Sequence, residues 1–84
     1  MPITTDALRA KLLTAFPDAD LDVHDTTGGG DHFAARVVTA AFAGRGLIDR
    51  HRLVYAALGD SMRADIHALT LTTQTPEERR GKTP

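Results

Sequence analysis

Apolar residues recur at helical spacing in two stretches of the chain. In the first stretch, Leu8, Leu12 and Phe16 follow one another at intervals of four residues, and Pro17 comes directly after them. This spacing places three apolar side chains on one face of a helix. Proline ends the helix because its nitrogen has no hydrogen to donate and its ring clashes with the preceding turn. The second stretch runs from 47 to about 58, and one stripe along it carries Leu47, His51, Val54 and Leu58. We predict an amphipathic helix at each place.

Elsewhere the chain alternates polar and apolar residues, which is the pattern of a half-buried strand. Residues 20–25 and residues 32 to about 41 alternate in this way and are separated by the glycine-rich loop 26–31. Two strands joined by a short loop are predicted to pair antiparallel. Residues 66–72 alternate again and are predicted to form a third strand. A short helical turn is expected before it, at residues 60–64, because Gly59 interrupts the second helix.

The predicted order of elements is α-β-β-α-α-β, a hairpin followed by a third strand that returns to the same sheet. Helices and strands mixed in this order are typical of a two-layer α+β domain. We therefore predict a three-stranded sheet with the helices on one face. The 84 residues suffice for one domain, which we assign to residues 1–78, and the polar residues 79–84 are predicted to be a flexible tail.

Composition narrows the class of protein. Apolar residues make up 42% and charged residues 25%, both near the average of globular domains. The chain has no cysteine, so it cannot form a disulfide framework or hold a metal through thiolates of its own. It has no apolar run near the roughly 18 residues that cross a bilayer, and its first residues lack the basic region of a signal peptide. We expect a cytoplasmic protein with no membrane partner.

The four histidines are the only candidate ligands for a borderline metal ion, because thiols are absent. They are His24, His32, His51 and His67, and no two stand at the close spacing of a metal-binding pair on one element. We interpret His51, within the stripe of the second helix, as a packed structural histidine. Arg50 and Arg52 can contact phosphate, but a net charge of −1 gives no general attraction for nucleic acid. Without a cysteine nucleophile, and with a single serine that suits a helix cap, we expect no enzymatic activity.

Three segments resemble the BolA family in their order and spacing. They are the Phe-Ala-Gly turn at 42–44, the helix that contains Arg50-His51-Arg52, and the strand that begins Ile66-His67-Ala68-Leu69. The start of the second strand, Asp31-His32-Phe33, also matches the family pattern, and the similarity spans about residues 5–78. The resemblance implies a fold similar to the type II KH domain, without the Gly-x-x-Gly nucleotide clamp of true KH domains.

The resemblance also implies partnership with a monothiol glutaredoxin and glutathione, in iron–sulfur trafficking or in iron and redox regulation. The two proteins would share a bridging [2Fe–2S] cluster, to which the BolA-like chain gives a histidine, since neutral imidazole can replace a thiolate on one iron. The matching histidine here is His67. Many members supply a second ligand from the loop between the first two strands, but here that loop holds three glycines and no such ligand. His24 and His32 are the candidates for that position, and no cluster is expected in the isolated chain.

Two other functions stay open. The family also implies a DNA-binding transcriptional regulator of envelope, morphology or stress-response genes, and Arg45, Arg50 and Arg52 would then form the nucleic-acid surface. The third class is a scaffold that binds a partner protein without metal, through the face that carries His67. On its own, the chain is expected to be a monomer or a weak homodimer.

Overall fold

The computed structural model describes residues 4–26, 28, 32–59 and 68–81. The helices are α1 (Thr5–Ala15), α2 (Leu47–Leu58) and α3 (Pro76–Arg80), the strands are β1 (Asp20–Asp25), β2 (His32–Val38) and β3 (Ala68–Gln74), and a 3-10 turn spans Ala40–Phe42. The predicted turn at 60–64 and the first two residues of the predicted third strand, Ile66 and His67, lie outside the described residues. The α+β class and the three-stranded sheet are confirmed.

β2 is the central strand of the sheet, with β1 on one side and β3 on the other. β1 and β2 pair antiparallel with Asp22 opposite Arg36, and β2 and β3 pair parallel with Arg36 opposite Thr72. Parallel neighbours need a crossover connection that passes over one face of the sheet. The chain between β2 and β3 includes α2, so this pairing places α2 against the sheet.

The hydrophobic core lies between one face of the sheet and the helices α1 and α2. Its buried members come from every one of these layers: Leu8, Leu12, Phe16, Phe33, Val37, Phe42, Val54 and Leu58. The stripe predicted for the first helix is confirmed, because Leu8, Leu12 and Phe16 are all buried. The alternation predicted for the strands is confirmed as well, since Phe33 and Val37 face the core while Arg36 points to the opposite face. We name that opposite side the open face.

The stripe predicted for the second helix is only partly correct. Val54 and Leu58 are buried, but Leu47 is 64% exposed and its neighbour Ile48 is 69% exposed. Leu47 lies seven residues before Val54, which is about 10 Å along a helix axis. The first turn of α2 therefore extends past the core that its second half covers.

The second strand ends three residues earlier than predicted, at Val38. The Asp18 carboxylate accepts a 2.7 Å hydrogen bond from the Thr39 hydroxyl and a 3.2 Å hydrogen bond from the Ala40 amide. The Thr39 hydroxyl in turn accepts from the Ala41 amide at 3.2 Å, which starts the 3-10 turn. These hydrogen bonds divert the chain from the strand path, although the alternation of the sequence continues.

The third strand ends two residues later than predicted, at Gln74, and leads directly into α3. Thr75 caps this helix through a reciprocal capping box with Glu78, and Pro76 occupies its first turn. Arg79 and Arg80 are helical, so the first two residues of the predicted polar tail belong to α3. The domain boundary at residue 78 stays a prediction.

We predict that Asp18→Ala lowers the melting temperature by removing the acceptor for the buried Thr39 hydroxyl. The two hydrogen bonds from Thr39 and Ala40 lower the pKa of Asp18 below its usual range. The carboxylate therefore stabilises the fold above the pKa it has in the unfolded chain, and this contribution is lost as pH falls through the lowered folded pKa. Thermal unfolding measured from neutral to strongly acidic pH should show the stabilities of variant and wild type converging at the acidic end.

Asp20→Ala is the matched control, because Asp20 is an exposed carboxylate two residues further along the chain. It should leave the melting temperature near that of the wild type throughout this pH range. A constant difference between Asp18→Ala and wild type down to the lowest pH would contradict the hydrogen-bonded role of the Asp18 carboxylate.

Candidate functional site

The open face of the sheet holds a shallow depression of about 370 Å³. Its lining comes from all three strands and from α3: Asp22, His24, Ala34, Ala35, Arg36, Thr70, Thr72, Gln74 and Arg79. Except for Ala35, which is buried on the core side, the strand residues face the same side because paired residues in a sheet share a face and side chains alternate along each strand. This face therefore brings together charges that are far apart in the sequence.

Asp22 contacts two polar side chains on the open face. Its carboxylate accepts from Arg36 at 3.0 Å across the β1–β2 pair, and its other oxygen lies 3.1 Å from Nε2 of His24 on the same strand. The His24 side chain is 69% exposed. The predicted ligand His24 thus lies in solvent with a carboxylate beside it, and a metal on Nε2 would have to displace this contact.

His32, the second candidate ligand, begins β2 and is half-buried. It lies on the open face with His24, because His24 pairs with Ala34 and His32 stands two residues before Ala34. Diagonal neighbours of this kind have Cα atoms about 7–8 Å apart in antiparallel sheets. The structure therefore brings His24 and His32 onto one surface. His67, the third candidate, lies outside the described residues.

A complete metal site is absent from the part of the chain that the structure describes: it contains no group of three or more histidine, aspartate or glutamate side chains placed to hold an ion. The candidate donors on the open face, the imidazoles of His24 and His32, come with no thiolate and suit a contributor to a shared site. This donor set fits an iron–sulfur cluster only where a second protein supplies the thiolates.

Arg50, which we predicted as a nucleic-acid contact, is held by the domain itself. Its guanidinium donates to both carboxylate oxygens of Glu78 at 2.7 and 3.0 Å, to the Arg45 carbonyl at 2.9 Å and to the Thr73 carbonyl at 3.3 Å. It also lies 5.9 Å from the centre of the Phe42 ring, and its side chain is only 12% exposed. The hydrogen bonds to Glu78 raise the pKa of Arg50. Arg50 therefore joins α2, β3 and α3.

The two other predicted phosphate contacts are exposed. Arg45 lies in the loop before α2, where its Nε donates to the Ala41 carbonyl at 3.2 Å, and Arg52 lies on the outer side of α2. Because the guanidinium of Arg50 is engaged, the basic surface around α2 consists of these two arginines with Asp49 beside them.

His51 is half-buried and packs edge-on against Tyr55, with the ring centres 6.3 Å apart. This packing agrees with our structural interpretation. Its Nε2, however, is buried and has no hydrogen-bond partner among the described residues.

The Asp22–Arg36 ion pair is the feature that sequence reasoning missed. Alternation placed Asp22 and Arg36 on the outward side of their strands. Pairing them requires the register, which depends on how many loop residues separate the two strands. The opposite charges were a usable signal, since such cross-strand pairs stabilise one register over another.

Comparison with known proteins agrees with the resemblance seen in the sequence motifs. A sequence model of the family described as BolA-like protein matches residues 5–78. Protein BOLA2 of Arabidopsis thaliana is 38% identical over 78 residues, which cover 90% of this chain and 83% of that protein. The DNA-binding transcriptional regulator BolA of Escherichia coli is 31% identical over 83 residues, covering 90% of this chain and 79% of that protein. The chain therefore belongs to the BolA family.

Relatives differ in how much of their length this chain spans. It matches SufE-like protein 1, chloroplastic/mitochondrial, of Arabidopsis thaliana at 44% identity over 50 residues, which are 60% of this chain but 14% of that protein. It covers 59% of BolA-like protein 1 of Mus musculus.

Among solved structures, a bol-like protein from Babesia bovis superimposes with a TM-score of 0.86 at 34% identity, covering 95% of this chain and 93% of the other. The fold is therefore that of BolA proteins. Its predicted similarity to the type II KH domain stays a prediction. Within the described ranges, no helix has the length and apolar character of a membrane span.

We predict that Arg50→Ala destabilises the domain, because it removes the guanidinium group that joins α2 to Glu78 and to the Thr73 carbonyl. Hydrogen bonds to charged groups contribute roughly 1.5–3 kcal/mol each when buried, and the exposure of Glu78 reduces the expected loss to about 1–2 kcal/mol. Urea denaturation measures this loss directly. Arg50→Lys should recover little of it, since an ammonium group cannot form the two parallel hydrogen bonds.

Arg52→Ala is the control on the same helix, because Arg52 is exposed. Its free energy of unfolding should stay within about 0.5 kcal/mol of the wild type. Equal losses for Arg50→Ala and Arg52→Ala would show that the contacts of Arg50 do not stabilise the fold.

Proposed function

We propose that this chain is the BolA-like partner of a monothiol glutaredoxin and that the two proteins share a bridging [2Fe–2S] cluster with glutathione. Membership of the BolA family supports the proposal. The donor chemistry supports it too, because a chain with histidines and no cysteine can complete such a cluster but cannot hold one alone. The role that follows is iron–sulfur trafficking or iron and redox regulation in the cytoplasm, without catalysis by this chain.

The residues proposed to bind iron are His67 as the first ligand and His24 or His32 as the second. When bound, the cluster would supply an electron-transfer and iron-transfer centre whose potential histidine ligation raises relative to all-thiolate ligation. The protein side must offer a neutral imidazole, since only the unprotonated nitrogen binds metal. The Asp22 carboxylate lies 3.1 Å from Nε2 of His24, so a metal on that nitrogen would have to displace this contact.

The observation that carries the proposal is the register of β2 and β3. His32 lies opposite Ala68, the first residue of β3, and His67 directly precedes Ala68 in the sequence. The start of β3 is thus level with His32, while His24 is level with Ala34 and Thr70, two residues further along. Along the strands, His32 is therefore nearer than His24 to the start of β3, and on this distance alone we propose His32 over His24 as the second ligand.

We predict that anaerobic co-purification with a monothiol glutaredoxin and glutathione yields a complex with a visible circular dichroism spectrum that neither protein shows alone. His67→Ala should change or abolish this spectrum, because it removes the proposed iron ligand. His32→Ala should alter it as well if the register argument is correct, and His24→Ala is the matched control that should leave it unchanged.

A complex that forms with no cluster spectrum, and that iron chelation leaves intact, would replace the shared cluster with the scaffold function. In that case His67→Ala would weaken binding of the metal-free partner. If no complex forms under these conditions, the glutaredoxin partnership is wrong for this chain.

DNA binding is the second candidate function, favoured by the similarity to the Escherichia coli regulator. Its surface would be Arg45 and Arg52, which are exposed near the start of α2. Since Arg50 is bound by Glu78, few phosphates would be neutralised and the affinity would be low.

We predict that any DNA binding falls with rising salt and that Arg45→Ala with Arg52→Ala makes the slope of log affinity against log salt shallower. The expected change is about 0.9 for each phosphate that the double variant no longer neutralises. Fluorescence anisotropy with a short duplex measures the slope. Arg79→Ala with Arg80→Ala removes two exposed charges from α3 and is the control. Equal slopes for the two double variants would exclude the α2 surface.

A further inference from the structure

The two sides of the open-face depression differ in how far their polar groups are used. On the β1 side, Asp22 contacts Arg36 with one carboxylate oxygen and His24 with the other. On the β3 side, the Thr72 hydroxyl has no hydrogen-bond partner among the described residues, and Gln74 and Arg79 extend this side toward α3. The groups that a ligand could bind are therefore concentrated on the β3 side.

Arg79 brings a positive charge to the depression that the described part of the domain leaves unpaired. Its side chain is exposed, and no described carboxylate forms an ion pair with its guanidinium. Glu78 directly precedes it, but the Glu78 carboxylate binds both terminal nitrogens of Arg50 instead. A guanidinium offers a planar set of N–H donors that matches a carboxylate, so Arg79 is suited to hold one.

Arg36 adds a second guanidinium to the same depression. Its Nη2 donates to Asp22 at 3.0 Å, while its Nε and Nη1 have no partner among the described residues. Arg36 lies directly opposite Thr72 in the β2–β3 register, and neighbouring strands are about 4.8 Å apart. The unused donors of Arg36 and the Thr72 hydroxyl can therefore bind the same small group.

Gln74 supplies an acceptor that lacks a donor. Its side-chain oxygen, Oε1, is buried and has no hydrogen-bond partner among the described residues. A buried carbonyl oxygen without a donor is unfavourable. The last side-chain torsion of glutamine is broad, so the carboxamide can turn toward the depression that Gln74 lines. A ligand that brings an N–H group would satisfy this oxygen.

We infer that the depression binds a small α-amino carboxylate, such as a free amino acid or a dipeptide. Its carboxylate would lie between Arg36 and Arg79, and its ammonium group would donate to Oε1 of Gln74. The lining carries charges of both signs, which suits a zwitterion better than a phosphate dianion, because Asp22 repels additional negative charge. The volume of about 370 Å³ is near the lower end of small-molecule sites, which span roughly 300–1,000 Å³.

This site lies at the other end of β3 from the preferred iron ligands. Gln74 follows Ala68, the residue level with His32, by six positions, which is about 20 Å along a strand. Binding therefore needs neither His32 nor His67, and the inference does not rest on the proposed cluster. It is tested on the isolated chain, so its outcome is independent of whether a glutaredoxin binds.

The sequence itself supplies a specific reporter for the test. Gln74 is the only residue of the chain with a carboxamide side chain, so a proton–nitrogen correlation NMR spectrum contains one side-chain NH₂ pair. L-Alanine should shift this pair and the Thr72 amide saturably, with a dissociation constant in the millimolar range. L-Lactate replaces the ammonium group with a hydroxyl, and propionate replaces it with hydrogen. These two probes should saturate at successively higher concentrations, because each offers Gln74 a weaker donor or none.

A matched pair of variants tests the carboxylate contact. Arg79→Ala should weaken binding of L-alanine about tenfold, because it removes a charge-assisted hydrogen bond. Arg80→Ala removes the same charge from the next residue of α3, which is exposed and does not line the depression. This control should bind L-alanine as the wild type does.

Three outcomes would overturn the inference. Shifts that grow linearly with L-alanine, or that propionate reproduces at the same concentrations, would show that the ammonium group is not recognised. Equal weakening in Arg79→Ala and Arg80→Ala would show a general effect of charge and no contact at Arg79. Saturation of the same signals by inorganic phosphate at lower concentration than by L-alanine would assign the depression to phosphate.

Discussion

Parallel pairing between β2 and β3 is the constraint on which the rest of this domain depends. Two parallel neighbours cannot be joined by a hairpin, so the chain must cross one face of the sheet between them. α2 lies in that connection and α1 packs beside it, and together they bury Phe33 and Val37 of the central strand. Asp22, Arg36 and His24 are thereby directed to the opposite face, where they meet.

The same pairing explains why Arg50 is structural. The outward carbonyls of a parallel edge strand receive no hydrogen bond from a neighbouring strand. Arg50 donates to the outward carbonyl of Thr73, and its two terminal nitrogens also donate to Glu78. β3 is therefore held by its pairing with β2 and by the hydrogen bond from Arg50 of α2. An arginine within a helix is ordinarily interpreted as a solvated charge or a phosphate contact. Here Arg50 instead connects α2, β3 and α3.

Local patterns predicted the elements well because their causes are local. The four-residue spacing of Leu8, Leu12 and Phe16 is enough to specify a helix with one buried face, and alternation is enough to specify the two sides of β2. Features that depend on contacts distant in sequence were not predictable in this way. Asp18 ends β2 from 20 residues earlier in the chain, and Glu78 binds Arg50 from 28 residues later. Nothing within a short window indicates either contact.

The candidate site likewise has features that a short sequence window predicts and features that depend on strand pairing. Residue type and family motif selected His24, His32 and His67, but only the register relates them: it sets His32 level with the start of β3 and His24 further along the sheet, beside Asp22. A metal on Nε2 of His24 would have to displace the contact of that nitrogen with Asp22. Two histidines that look equivalent in the sequence therefore occupy different positions in the sheet, and the carboxylate beside His24 is at the same time paired with Arg36.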